Sequence, residues 1–71
     1  MNRNLIPLHS AWVAADLAWQ AQIETTFPRG DAGTLRYTNA GKGEPGTALR
    51  AAYDEFVKAG SAYHEAVSAA A

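Results

Sequence analysis

Arg29, Arg36 and Lys42 lie in one segment that ends at a helix start near Thr47, and this combination can hold a phosphate. Free backbone N–H groups at a helix N-terminus, together with the helix dipole, attract anions. Tyr37 can stack on a base, and the Thr38 and Thr47 hydroxyls can donate to phosphate oxygens. The spacing is nevertheless not that of a phosphate loop. In GxxxxGK[ST] the lysine follows its glycine, whereas Lys42 precedes Gly43, and Pro45 removes an N–H where the cradle wants a donor. No βαβ unit fits in this chain to support a dinucleotide fingerprint. Asp31 and Glu44 also dilute the cationic field. The competing reading is a Gly/Pro hinge with solubilising charges, on which Arg36 and Lys42 are ordinary surface residues.

Other constellations carry less. His9 and Asp16 share a helix edge, but seven residues of helix rise about 10 Å, too far for a direct acid–base pair. His64-Glu65 lacks the histidine three residues after the glutamate that the HExxH zinc pattern requires. No serine has an oriented histidine and acid as partners. The chain has no cysteine and two histidines, which leaves a zinc site without thiolates. Arg29-Gly30-Asp31 matches the tripeptide that adhesion receptors read, a coincidence of three residues. The expectation is therefore no catalytic residue, no metal and no cofactor.

A chain of 71 residues has room for one domain, residues 1–71, near the lower limit at which a single core is self-sufficient. Disulfides are excluded, so oligomerisation is the expected support. A net charge of −1 with both signs scattered argues against a nucleic-acid polymer or a membrane surface as partner. Arg3 followed by LIPLHSAWVAADLAW has the length of a secretion signal, but His9 and Asp16 interrupt it and its period is amphipathic. No run approaches the roughly 20 apolar residues of a membrane span. A cytoplasmic location is expected.

The elements that must position these residues read as all-α. Leu8, Trp12, Ala15, Trp19, Ile23 and Thr26 recur on a helical period and predict a first helix at about 7–26, with Pro7 in its first turn and Pro28 just beyond its end. Residues 27–46 hold five of the six glycines and two of the three prolines and read as a long connecting loop. Within it, Thr34 to Thr38 alternates and is rich in β-formers, so a short strand at 34–38 can form. A second helix at about 47–70, capped by Thr47, places Leu49, Phe56, Tyr63 and Ala70 at heptad spacing with Ala52, Ala59 and Ala66 between them. Arg50, Asp54 and Lys58 form i,i+4 pairs on the opposite face. Gly60, mid-helix, suggests close approach of the two helices.

The two helices fold back as an antiparallel hairpin, and each carries more apolar surface than one partner helix covers. Val13 and Leu17, with Ala14, Ala18 and Ala21, lie away from the tryptophans, and Tyr53 and Val57 flank the second seam. A homodimer forming a four-helix bundle follows, with Val13, Leu17, Tyr53 and Val57 at the interface. Trp12 and Trp19 read as core. If the dimer leaves a cleft beside their rings, Arg36 and Tyr37 would sit above an apolar base. The first functional expectation is a small non-catalytic helical protein that self-associates and binds another protein. The alternative is a protein that sequesters a nucleotide or other small phosphate ligand through Arg29, Arg36, Tyr37, Thr38, Lys42 and Thr47. In architecture alone, the hairpin resembles the small phage-encoded helical proteins that trap cyclic-nucleotide signals.

Overall fold

The computed structural model describes residues 5–70. Four helices follow one another: α1 (Leu5–Thr26), α2 (Ala32–Leu35), α3 (Asn39–Lys42) and α4 (Ala48–Ala70). The long pair, α1 and α4, pack against each other as a hairpin, and α2 and α3 bridge their joined end. Arg3 and the Ala70 side chain, both used in the sequence reading, lie outside the described residues.

Pro7 sits in the first turn of α1, where a missing N–H costs no intrahelical bond. At the other end the ladder closes with the Phe27 N–H on the Ile23 carbonyl at 2.8 Å, one residue before Pro28. The start of α4 is capped by Thr47, whose Oγ1 accepts from the Arg50 N–H at 3.1 Å.

The connection corrects one expectation. Residues 34–38 are not a strand, and no strand occurs among the described residues. An isolated strand would leave its backbone groups unpaired, whereas turn bonds satisfy them locally. Asp31 caps α2, accepting from the Gly33 N–H at 3.0 Å and the Thr34 hydroxyl at 2.9 Å. Thr38 caps α3 in the same manner, accepting from the Gly41 N–H at 3.4 Å. The long loop of the sequence reading thus contains two single helical turns, each started by a side-chain oxygen.

Trp19, Ile23, Ala32 and Leu49 are the buried apolar residues, flanked by half-buried Phe27, Leu35, Ala52, Tyr53 and Phe56. The Trp19 and Phe56 rings lie 4.8 Å apart at 30°. Toward the open end the seam continues as Trp12 stacked on Tyr63 at 5.3 Å, with His9 and His64 against the same rings. Here Gly60 is buried: a Cβ on it would lie 2.9 Å from the Trp12 indole nitrogen, so any larger residue requires the Trp12 ring to shift. The molecule measures 44 × 20 × 16 Å, two helices wide and hardly more than one deep. Among the described residues only Ile23 is buried to below 2% exposure.

Candidate functional site

Trp19 organises one face of the joined end. Its ring is 3% exposed, and its indole N–H donates to the Gly41 carbonyl at 2.8 Å, tying α3 onto α1. Gly41 is itself buried, and a Cβ there would collide with the Leu35 carbonyl. The two short helices are therefore pressed against each other and against the indole, which fixes the residues on either side of Gly41.

Arg36, at the end of α2, is drawn inward. Its guanidinium pairs with Asp16 and donates to Gln20 Oε1 at 3.4 Å, both on α1. Its central carbon lies 4.9 Å from the centre of the Trp19 ring and 5.8 Å from that of Phe56. The side chain is only 18% exposed. A cation over aromatic faces, held by a carboxylate and an amide, is a fixed part of the site wall.

Tyr37 and Lys42 complete it. Tyr37 is 82% exposed, although its neighbour in sequence is tucked away. Lys42 is half-buried, with Nζ 5.8 Å from the Tyr53 ring centre, and takes part in neither ion pair found among the described residues. Arg50 also approaches Tyr53, at 5.8 Å, but it is engaged with Asp54 at 3.2 Å and the Gly43 carbonyl at 3.2 Å. Trp19, Arg36, Tyr37, Lys42, Tyr53 and Phe56 together enclose an open cleft of about 430 Å³. A second hollow of about 270 Å³, lined by Asp16, Val13 and Trp12, meets it at Arg36 and Phe56.

Comparison with family models, curated proteins and solved structures finds no match to this chain. Function is read from the geometry.

Of the six residues named for an anionic ligand, the cleft gathers Arg36, Tyr37 and Lys42. Arg29 is exposed and lines none of the four hollows described. The Thr38 hydroxyl is committed to α3, donating to the Leu35 carbonyl at 2.7 Å. Thr47 uses its hydroxyl as a cap and a donor to the Glu44 carbonyl at 2.7 Å. It borders a different hollow of about 440 Å³, lined by Glu44 and by no cation. Of the four residues named for the interface, Val13, Leu17 and Val57 are exposed. Tyr53 instead turns toward Trp19, at 5.2 Å between ring centres, and lines the cleft.

Trp19, Tyr53 and Phe56 are the cleft residues absent from the anionic-ligand set. Trp19 and Phe56 signalled themselves as apolar residues at helical spacing, which reads first as core, and Tyr53 as a residue flanking the second seam, which reads as interface. The cleft needs no second copy, because α1, the connection and α4 of one chain enclose it. Among the described residues no three His, Asp or Glu side chains gather as metal ligands. No helix among them is long and apolar enough to cross a membrane.

Proposed function

We propose that this chain is a small non-catalytic binding protein that works in the cytoplasm as a homodimer, pairing through the outer stripe of α1. The observation that carries the reading is the contrast between the two sides of that helix. Ile6, Val13 and Leu17 are 76%, 44% and 61% exposed, while the covered side supplies Trp19 and Ile23 to a core whose buried apolar members number four among the described residues. Such a core is thin for a domain of this size, and burying one Leu or Ile side chain is worth about 1.5–3 kcal/mol. Ile6, Val13 and Leu17 are spaced by seven and four residues, which keeps them on one stripe about 17 Å long. Val57, 44% exposed on α4, extends the apolar surface.

A second copy is the economical cover because a two-fold axis pairs the stripe with itself and produces a four-helix bundle. A standard interface takes about 600–1,000 Å² from each partner, a modest part of the 4923 Å² this chain exposes. Replacing Leu17 by Glu tests the assignment. Dissociation with helix content retained agrees with it, and association unchanged in the variant would place the interface elsewhere.

A second reading, capture of a nucleotide or another small phosphate compound, is favoured by one observation: Arg36, Tyr37 and Lys42 border a single aromatic cleft. The two readings are compatible, since the dimer stripe and the cleft use different residues.

A further inference from the structure

We infer that the cleft between Tyr37 and Tyr53 is a binding site for a planar heteroaromatic ring carrying a single phosphate group, the chemistry of a nucleoside monophosphate. This rests on the phosphate-ligand reading and narrows it in two respects.

The ring is called for by the walls. Four of the six lining side chains are aromatic, and Tyr37 is 82% exposed, with the Arg36 guanidinium 5.9 Å from its ring centre. An inserted base would lie against the solvent-exposed surface of Tyr37, since the Arg36 guanidinium covers the Trp19 ring and Lys42 and Arg50 both approach the Tyr53 ring. Stacking on aromatic side chains is tolerant of base identity, because every base has a π-face. A preference for purines over pyrimidines follows from their larger stacking area. A volume of about 430 Å³ lies within the range of small-molecule sites.

The single phosphate is called for by the count of uncommitted cations. Arg36 is neutralised by Asp16 and Arg50 by Asp54, and neither carboxylate lines the cleft. Lys42 is the remaining lining cation, and its Nζ stands over Tyr53 at the cleft wall. One ammonium group offsets about half the charge of one phosphate monoester, and a triphosphate would bring further charge that nothing in the cleft lining offsets. The Trp19–Gly41 bond fixes the backbone next to Lys42, so the side chain that carries the ammonium leaves from a set position.

Calorimetric titration of the intact chain tests the inference, with adenosine, guanosine, cytidine and uridine 5′-monophosphates, adenosine and ribose 5-phosphate as probes. A monophosphate should bind at least about tenfold more tightly than either fragment, because stacking and the charged contact add. Tyr37→Ala and Lys42→Gln should each weaken it by about tenfold with circular dichroism unchanged, Tyr37 being too exposed to support the fold. Ribose 5-phosphate binding as tightly as the nucleotides would overturn the ring and leave a plain phosphate site. No heat from any probe at millimolar concentration would overturn both this inference and the phosphate reading. Nucleotide binding unchanged in both variants would place the site elsewhere and overturn the inference alone.

Discussion

The Trp19 indole N–H donates to the Gly41 carbonyl at 2.8 Å, across 22 residues of sequence. This bond joins the middle of α1 to the second turn of the connection and places Lys42 beside the aromatic rings. Core and cleft therefore share one residue. The ring packs with Phe56 and Tyr53, and its polar edge orders the segment that closes the cleft.

The two roles of Trp19 separate by substitution. Trp19→Ala should cost about 3–5 kcal/mol, enough to unfold most of so small a domain. Trp19→Phe keeps an aromatic ring but strands the Gly41 carbonyl, and should cost about 1–3 kcal/mol. Urea denaturation followed by circular dichroism measures both. Equal costs would mean that the hydrogen bond, rather than the ring, carries the stability.

The glycines at close contacts should rank by what a methyl group meets. At Gly41 the obstacle is the Leu35 backbone, which cannot swing aside, so Gly41→Ala should cost about 3 kcal/mol. At Gly60 the obstacle is the Trp12 side chain, and alanine regains about 1 kcal/mol of helix propensity, leaving a net loss near 1 kcal/mol. Thermal midpoints of the two variants give the order. A stabilised Gly60→Ala would show that Trp12 yields without cost.

Arg36 departs from the behaviour of a surface charge. As part of a plain connector, its replacement by alanine would change stability by less than about 0.5 kcal/mol. Paired with Asp16 and lying over Trp19, it should instead lose about 1–2 kcal/mol in Arg36→Ala, after discounting the pair for its partial exposure. Asp16→Asn should lose less, since the stacking remains. A double-mutant cycle measured by urea denaturation isolates the coupling, and purely additive effects would mean the pair contributes nothing.

Much of the hairpin is legible in the sequence because its signals are local and periodic. Trp12, Trp19 and Ile23 mark the inner stripe of α1, Pro7 and Pro28 bracket it, and Thr47 starts α4 by a cap that depends on three successive residues. The connection is less legible. Thr34 to Thr38 alternates like a strand, but the outcome turns on whether a partner strand exists, and Asp31 and Thr38 settle it by capping single turns. The contacts of Arg36 and Tyr53 are not legible in the sequence for a related reason. Each is defined by contacts from other elements, Arg36 by Asp16 and Gln20 and Tyr53 by Trp19, and no spacing within its own segment encodes them.

The central claim is that the exposed stripe of Ile6, Val13 and Leu17 is covered by a second copy. Light scattering coupled to gel filtration measures the mass directly. The account predicts twice the 7.5 kDa of the chain at micromolar concentration. A single species at the monomer mass, persisting as concentration is raised through that range, would contradict it.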